Sequence, residues 1–420
     1  MLPTGIARFA GSAVRKTTTD GRFNVLLLGA GNINFGTTEG PWNHSKRLEQ
    51  LRVVGVVDKN RARAEDRLTI KRADANVPTE AYTHTKVFES IEHASQSLNP
   101  SEVPHLAVDG FQSTTRGSTQ PGHDTEMQLI RSFPEVAHLI EKPISAGSFE
   151  EAEKVKEALQ GRVVSVGYML RYLRAVKEMK TILDDNNLKV MATMATYLMA
   201  YGFAGEHSDG ITKGYWDKTL EMGPVVGQGT HICDLTRFLA PAPLLDTISV
   251  QTVQHTDACG HLSMVKRDEN EFVQPGNRIP RITNASWRYA DGGVGQFLHG
   301  VVLHEGDYDV ELVVLADGWK LRLVDPYGVA PKLYVRRPGA SEEGEFWPIC
   351  VCFCLCVQTI FTDDDCYLSE ISALVDVVDG KAPQSAILST YADALESYKL
   401  TWAIRSAGEK AYEARGGPKQ

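Results

Sequence analysis

Two side chains of this 420-residue chain could carry acid–base chemistry, and the first is Lys142. It lies in Glu141-Lys142-Pro143, directly after the apolar run His138-Leu139-Ile140. A lysine at the carboxyl end of a parallel strand faces the ligand crevice of a doubly wound sheet. If burial lowers its pKa, the lysine can hydrogen-bond a hydroxyl and relay the proton. Pro143 is expected to fix the turn. The alternative is a surface lysine paired with Glu141.

The second candidate acid or base is His231. Pro224 is expected at the first position of a helix on which Gly227, His231, Asp234 and Phe238 share one face. Histidine titrates near neutral pH, so His231 can take the proton that an alcohol loses as hydride leaves its carbon. Asp234 could orient the imidazole ring or serve packing alone. A structural role for His231 itself is the competing interpretation.

A third feature, Gly29-Ala30-Gly31, is typical of a turn that binds a pyrophosphate. The turn follows an apolar run at 23–28, and its glycines let backbone N–H groups approach phosphate oxygens closely. Asp58 ends the next apolar run and is placed to accept the adenosine ribose hydroxyls. Its charge favours NAD over NADP, although Lys59 and Arg61 could receive a 2′-phosphate. The expected cofactor-binding residues are Gly29, Ala30, Gly31, Asn32, Ile33, Asp58, Glu141 and Lys142.

The turn departs from the usual dinucleotide fingerprint. Asn34 occupies the third glycine position, and Gly36, Gly40 and Pro41 interrupt the segment that follows. We therefore expect the crossing helix to begin only near Asn43. A strand, turn and helix without any ligand is the competing interpretation.

The elements around the turn and around Lys142 alternate between strands and helices. Such alternation predicts an α/β domain with a doubly wound parallel sheet, a Rossmann domain over residues 23–166 that follows a flexible extension at 1–22. The predicted strands are 23–28, 52–57, 106–109, 137–140 and 163–166, and the predicted helices between them are 125–133 and 149–159.

The pattern changes after about residue 174. Long alternating strands are joined by Ala290-Asp291-Gly292-Gly293 and Ala316-Asp317-Gly318, which are hairpin turns. They predict a predominantly antiparallel α+β domain over 167–410, followed by a frayed tail at 411–420. The predicted strands are 190–201, 247–255, 283–289, 294–304, 308–315 and 319–324, and the predicted helices are 368–378 and 386–407.

Composition narrows the partners to small molecules. A net charge of −9 leaves no basic stripe for a nucleic acid. No apolar run reaches the about 18 residues that a bilayer span needs. We expect a cytoplasmic protein, with organelle targeting by residues 1–20 as a weak alternative.

Five of the seven cysteines lie between Cys350 and Cys366, and four of them alternate with apolar residues from Cys350 to Cys356. The spacing of zinc ligands is absent and no histidine is near, so we expect no metal site. A cysteine-rich apolar strand or insertion is the preferred interpretation.

Together, Gly29-Ala30-Gly31, Asp58, Glu141-Lys142-Pro143, the segment 167–172 and Gly223-Pro224 leading to His231 resemble the Gfo/Idh/MocA oxidoreductase family. The resemblance covers nearly the whole chain. It implies a Rossmann domain, an open-faced sheet domain, hydride transfer on a sugar or polyol, and a homodimer or homotetramer through the sheet. The residues expected to line a substrate pocket are Tyr168, Arg171, Trp216, Lys218 and Asp234.

The chain departs from this family at Gly227, where many catalytic members carry an acid one helical turn before the histidine. Gln228 would lie about 100° away around a continuous helix, which makes it a poor substitute. Two alternatives therefore stay open: a non-catalytic dinucleotide-binding regulator and an NAD-dependent, glycosidase-like enzyme. The stretch from Cys350 to Cys356 has no counterpart in the family pattern.

Overall fold

The structure, a computed structural model, describes residues 23–36, 43–201, 216–263, 273–304, 308–339 and 356–417. The chain forms two compact units. The first unit runs to Gly167 and regains Tyr367–Tyr391, and the second unit comprises Tyr168–Cys366 and Ala392–Gln420. Sequence analysis placed all of 167–410 in one domain and did not foresee the return of residues 367–391 to the first unit.

The helices and strands of the described residues are numbered in chain order. The strands are β1 (Asn24–Leu28), β2 (Arg52–Val57), β3 (Lys86–Phe88), β4 (Leu106–Asp109), β5 (Ala137–Ile140), β6 (Val164–Val166), β7 (Val190–Ala200), β8 (Pro243–Val253), β9 (Ile282–Tyr289), β10 (Val294–Leu303), β11 (Tyr308–Ala316), β12 (Trp319–Val324), β13 (Lys332–Arg336) and β14 (Cys356–Ile360). The helices are α1 (Asn32–Phe35), α2 (Ser45–Leu48), α3 (Arg61–Ala73), α4 (Thr79–Tyr82), α5 (Ile91–Ser97), α6 (Thr125–Ser132), α7 (Phe149–Ala158), α8 (Arg174–Asp185), α9 (Lys218–Glu221), α10 (Gly223–Gly227), α11 (Thr230–Leu239), α12 (Cys366–Val378) and α13 (Tyr391–Ala414).

The first unit is built on a parallel sheet in the order β3-β2-β1-β4-β5-β6. This confirms the doubly wound fold. All five residues of β1 are buried, as expected for a strand covered on both faces. Strand β3 was not predicted, because its sequence Lys-Val-Phe forms no apolar run like those of the other parallel strands.

The returning segment belongs to the first unit because its apolar side chains join that unit's core. Ile371 and Leu374 of α12 are fully buried in one cluster with Val25, Leu27 and Leu139 of the parallel sheet. The core therefore explains why a helix distant in sequence completes the first unit.

The crossing between β1 and β2 contains two short helices. Helix α1 begins at Asn32, directly after the glycine turn, and ends at Phe35, with Gly36 as its C-cap residue. Helix α2 begins at Ser45, with His44 as its N-cap residue. The prediction that helical structure begins only near Asn43 was wrong for α1 and close for α2. Residues 37–42, which include Gly40 and Pro41, lie outside the described residues.

The second unit contains a sheet in the order β14-β13-β12-β11-β7-β10-β9-β8. Only the β7–β10 pairing is parallel among its described strands, which confirms a predominantly antiparallel sheet. Both predicted hairpin turns join antiparallel neighbours, β9 with β10 and β11 with β12. Alternate residues of β7 differ sharply in exposure: Thr193 is 1% exposed and Met194 is 46% exposed. One face is therefore covered and the other open.

Two elements of the second unit differ from the prediction. Strand β14 begins at Cys356 and pairs with β13 at the end of the sheet, whereas Cys350, Cys352 and Cys354 lie outside the described residues. Helix α13 continues to Ala414 with Tyr412 buried, so the tail does not fray from residue 411. The sequences 1–22 and 418–420 also lie outside the described residues. No helix within the described part of the chain is both long and apolar enough to cross a lipid bilayer.

The single helix predicted from Pro224 through His231 is wrong. Helices α10 and α11 are separated at Gln228 and Gly229, whose N–H groups both donate to the carbonyl oxygen of Pro224, at 2.9 and 2.8 Å. A Cβ atom on Gly229 would lie 2.6 Å from Cζ of Phe297. The break brings the backbone against this ring, which only a glycine allows.

Candidate active site

The glycine turn has the geometry that a pyrophosphate needs. Gly29 has φ +90°, a conformation that favours glycine, and its N–H donates to the carbonyl oxygen of Val57 at 2.8 Å. A Cβ atom on Gly31 would meet no described atom within 4 Å, so open space lies in front of this residue. The turn therefore fits a dinucleotide, which would approach the backbone at Gly31.

Asn34, at the third glycine position, closes the turn from behind. Its Nδ2 donates to the carbonyl oxygens of Leu28 at 3.1 Å and Gly29 at 2.9 Å. A buried carboxamide thus holds the end of β1 where the usual fingerprint has a glycine. Asn32 is exposed and accepts a hydrogen bond from Arg67 at 2.8 Å.

Asp58 lies at the end of β2, as predicted, and its carboxylate also braces the glycine turn. Its Oδ2 accepts from the N–H of Ala30 at 2.7 Å and from Nη2 of Arg63 at 2.7 Å. Its Oδ1 accepts from the N–H of Asn60 at 2.8 Å. The cation beside Asp58 is Arg63, on the first turn of α3, rather than the exposed Lys59 expected from sequence. Ribose binding by Asp58 stays a prediction.

Lys142 lies in a turn that charged residues hold from both sides. The Lys142–Pro143 peptide is cis, and the carbonyl oxygen of Pro143 accepts from Nε and Nη2 of the buried Arg116, both at 3.2 Å. On the other side, Oε1 of Glu141 lies 2.6 Å from Nε2 of His44. Lys142 itself is half-buried. The turn is therefore fixed at the carboxyl end of β5, where a catalytic lysine is expected.

Burial perturbs three carboxyl groups near this turn. Burial raises the pKa of Glu126 to about 8, and the charge of Asp109 adds to the increase. Burial also raises the pKa of Asp109, although Arg116 opposes the change. For Glu141 burial acts in the same direction, but the His44 hydrogen bond and the charges of His44 and Lys142 outweigh it and lower the pKa. Glu141 is thus the carboxyl group of the three that stays ionised most readily.

His231 lies on α11, and aromatic rings surround its imidazole. The rings of Tyr168 and Tyr327 meet it edge-on, with centroids 5.9 and 6.0 Å away. Tyr327 also lies 6.0 Å from Tyr197, which stacks on His299 of β10 at 5.6 Å. His231 is 6% exposed, so the rings leave it a small opening.

Arg171 and Asp234 form a buried ion pair. Nε and Nη2 of Arg171 each donate to a carboxylate oxygen of Asp234, both at 2.7 Å. Ser397 donates to the same carboxylate at 2.6 Å. Arg171 is 3% exposed and Asp234 is 1% exposed. The pair ties α11 to α13 and to the turn before α8, and contact of either side chain with substrate stays a prediction.

The other predicted pocket residues, Tyr168, Trp216 and Lys218, all belong to the second unit. Tyr168 is buried, and its hydroxyl group shares a 2.8 Å hydrogen bond with Thr230. Trp216 is 1% exposed and carries the guanidinium of Arg281 over its ring at 5.2 Å. Lys218 pairs with Glu409 at 3.1 Å and lines a small cavity together with apolar neighbours such as Met222, Pro224 and Ile279. The ring of Tyr168 contacts His231 edge-on, with the centroids 5.9 Å apart.

Three residues that lie around the candidate catalytic groups were not predicted from the sequence. His44, Arg116 and Tyr327 each stand outside any motif, and no spacing rule connects them to Lys142 or to His231. Only the fold brings them there. Within the described residues no group of three potential metal ligands occurs.

Comparison with protein families assigns both halves of the chain. Residues 23–168 match the model described as oxidoreductase family, NAD-binding Rossmann fold, and residues 171–319 match an oxidoreductase C-terminal domain. The first match covers the glycine turn, Asp58 and the lysine turn. The second includes His231 and most of the antiparallel sheet.

Individual relatives extend over nearly the whole chain. Two uncharacterized proteins of Schizosaccharomyces pombe, UNK4.17 and C12C2.04, are 38% and 36% identical to it, and the matches cover 92% of this chain and 91% and 97% of theirs. Among solved structures, UDP-N-acetylglucosamine 3-dehydrogenase GnnA from Acidithiobacillus ferrooxidans matches with a TM-score of 0.62 at 13% identity, covering 93% of this chain and 98% of that one.

A second solved structure, GenD2 from gentamicin A biosynthesis in complex with NAD, matches with a TM-score of 0.61 at 17% identity and covers 97% of both chains. These two structures share the fold. With the lysine turn, the glycine turn and both family models in agreement, the chain belongs to the Gfo/Idh/MocA family of oxidoreductases, with an NAD-binding Rossmann fold as its first part.

Proposed function

We propose that the chain is an NAD(P)-dependent dehydrogenase or reductase that moves hydride between nicotinamide and a secondary alcohol or its ketone. The observation that carries this proposal is the position of the lysine turn. Lys142 follows β5, and the glycine turn follows β1, two strands away at the same edge of one parallel sheet. Two strand spacings amount to about 10 Å, which is well within the length of a dinucleotide.

In the proposed reaction the cofactor carries the hydride, and the protein handles the proton. The nicotinamide, when bound, supplies or accepts the hydride. Lys142 donates a hydrogen bond to the substrate oxygen and so stabilises the charge that develops on it. His231 takes the hydroxyl proton during oxidation and returns it during reduction. Neither task requires an acid at Gly227.

The rings around His231 favour a sugar or polyol as substrate. Tyr327, which is partly exposed, presents aromatic surface beside the imidazole, and the buried Tyr168 packs against the same ring. Such surface suits the C–H groups of a carbohydrate, while Lys142 and His231 recognise hydroxyl groups. Because Arg171 and Asp234 satisfy each other, we assign them the task of holding α11 in place rather than contacting substrate.

NAD is the preferred cofactor. Asp58 ends β2, where its carboxylate suits ribose hydroxyls and repels a 2′-phosphate. Arg63, half exposed and 2.7 Å from that carboxylate, is the cation that an NADP phosphate would meet. NADP therefore stays open as a second cofactor.

A non-catalytic regulator of the same fold is the second candidate. Gly227 ends α10 and offers neither charge nor proton near His231. The lysine turn favours the enzyme over the regulator, because a regulator needs to bind the dinucleotide but needs no proton donor. The two functions differ in turnover, not in cofactor binding.

The open face of the antiparallel sheet is our proposed surface for a homodimer or homotetramer. Met194 and Val294 on this face are 46% and 47% exposed. Burying such side chains between two copies would be favourable. Light scattering should give a dimer or tetramer for the wild type and a smaller species for Met194→Lys; a monomeric wild type would contradict this assembly.

The deciding experiment is a substrate panel run with both cofactors. Nicotinamide fluorescence should change when NADH or NADPH binds, and absorbance at the reduced nicotinamide band should then report turnover of sugars, polyols and their ketones. Binding with turnover of at least one compound supports the enzyme. Binding without any turnover favours the regulator, and failure to bind either cofactor contradicts both.

A further inference from the structure

His44 contacts both segments on which the proposed function depends. Its N–H donates to the carbonyl oxygen of Ile33, in the short helix that follows the glycine turn, at 2.8 Å. Its Nε2 lies 2.6 Å from Oε1 of Glu141, the residue before Lys142. We propose that His44 is a positioning residue that couples occupancy of the dinucleotide turn to the placement of Lys142. This inference rests on the proposed function.

The contact between His44 and Glu141 is largely buried. His44 is 1% exposed, and the ring of Tyr367 meets it edge-on at 5.3 Å. On the opposite side, a Cβ atom on Gly167 would lie 2.9 Å from Oε1 of Glu141. The carboxylate therefore has little room to rotate away, and a hydrogen bond in such a dry environment is strong.

A shift of His44 reaches Lys142 through Glu141, the residue that precedes Lys142 in the chain. Pro143, the residue that follows, is held in place, because its carbonyl oxygen is fixed by Arg116. With one flank of the turn anchored by Arg116, a shift of Glu141 changes the turn at Lys142 instead of displacing the whole segment. The same link works in reverse, from the lysine turn to the glycine turn.

The charges that face Glu141 come from several elements. His44 faces it from α2, Arg116 from the segment after β4, Lys142 from its own turn and Asp109 from β4. His44 is the neighbour that both donates a hydrogen bond and lowers the pKa of Glu141. Without it, burial favours the neutral carboxylic acid, and Lys142 loses a fixed negative charge.

The test measures Lys142 itself, so it needs no known substrate. The rate at which an amine-acylating reagent modifies Lys142 is followed against pH by peptide mass spectrometry, with NADH affinity measured alongside. His44→Leu and Glu141→Gln should each lower the apparent pKa of Lys142 by about one unit, which raises its acylation rate about tenfold below that pKa. The double variant should change the rate no more than either single variant, because both act through one interaction.

Three companion measurements separate positioning from general damage. His44→Gln retains a donor for Glu141 and should restore most of the wild-type pH profile. His138→Gln, which replaces a buried histidine on β5 three residues before Glu141, should match the wild type. His44→Leu should also weaken NADH binding by about fivefold or more, the size of an ordinary coupling between sites.

The outcomes for this inference and for the proposed function differ. If the wild type binds NADH and His44→Leu keeps its acylation profile and its NADH affinity, the role of His44 is refuted and the proposed function stands. If the double variant shows the sum of the single effects, the link through Glu141 is refuted. If His44→Leu does not fold, His44→Gln and Glu141→Gln decide, and a wild-type profile for Glu141→Gln overturns the proposal. If the wild type binds neither NADH nor NADPH, both proposals fall; if it binds NADPH alone, the same tests are run with NADPH.

Discussion

The two candidate catalytic residues are held in place by different forces. In the first unit, Lys142 lies in a turn fixed by charged side chains, His44 on Glu141 and Arg116 on Pro143. In the second unit, His231 is surrounded by aromatic rings, and the nearby charges of Arg171 and Asp234 neutralise each other. Charged contacts fix the turn that carries Lys142, and aromatic packing surrounds His231.

The two regions also differ in how much of them could be predicted from the sequence. The lysine turn and the glycine turn are local, because strand ends and turn residues adjacent in sequence form them. Their positions could therefore be predicted, as could the parallel sheet. His44 and Tyr327 act across the fold, 97 and 96 residues from the groups they contact, Glu141 and His231. The periodic patterns that predict helices and strands carry no information about such long-range contacts.

The break between α10 and α11 shows a second limit of sequence analysis. The spacing of Pro224, Gly227 and His231 fits one helix, and the prediction followed that pattern. The close contact of Gly229 with Phe297 overrides it, because tertiary packing dominates local helix preference. Because the helix is broken at Gln228 and Gly229, Gln228 does not occupy the position about 100° around a continuous helix that was expected of it.

The largest effect is expected from breaking the ion pair of the second unit. Arg171→Met leaves Asp234 buried with Ser397 as a donor but without its bidentate cation. The loss should lower the free energy of unfolding by about 3–5 kcal/mol, as for other buried pairs that lose one partner. Urea denaturation followed by tryptophan fluorescence would measure it.

Arg174→Met is the matched control for that variant. Arg174 lies three residues away and pairs with Asp364 at 3.5 Å, but its side chain is 56% exposed. An exposed pair contributes less than about 1 kcal/mol. Equal losses in the two variants would show that burial does not distinguish the pairs, contrary to our comparison.

A smaller effect should appear in both units on acidification. His138 in the first unit and His299 in the second are buried, and burial lowers the pKa of each to about 3. The unfolded chain binds a proton near pH 6.5 and the folded chain does not, so stability falls as the pH drops from about 6.5 toward 3. At pH 5 each histidine should cost about 2 kcal/mol relative to pH 7.

This pH effect can be measured one unit at a time. His138→Leu and His299→Leu should each flatten the difference in unfolding free energy between pH 7 and pH 5. The exposed His84, replaced by leucine, serves as the control and should leave the difference unchanged. An unaltered pH dependence in both buried variants would mean that the two histidines are protonated within the fold.

The smallest effect concerns the cofactor. Arg63 is half exposed, so its contribution to binding a 2′-phosphate is screened by water. Arg63→Ala should weaken NADPH binding by about two- to fivefold and leave NADH binding unchanged. Fluorescence titration of the two nucleotides measures both values. Equal weakening of NADH would instead mean that Arg63 supports Asp58 and the glycine turn.

The most direct test of the account is the turnover of Lys142→Ala and His231→Ala on a compound that the wild type converts, with NADH affinity measured in parallel. If Lys142 and His231 act on the substrate oxygen and its proton, both variants should lose at least about 100-fold in kcat while binding NADH with nearly wild-type affinity. A variant of either residue that turns over at the wild-type rate would contradict the assignment of that residue to catalysis.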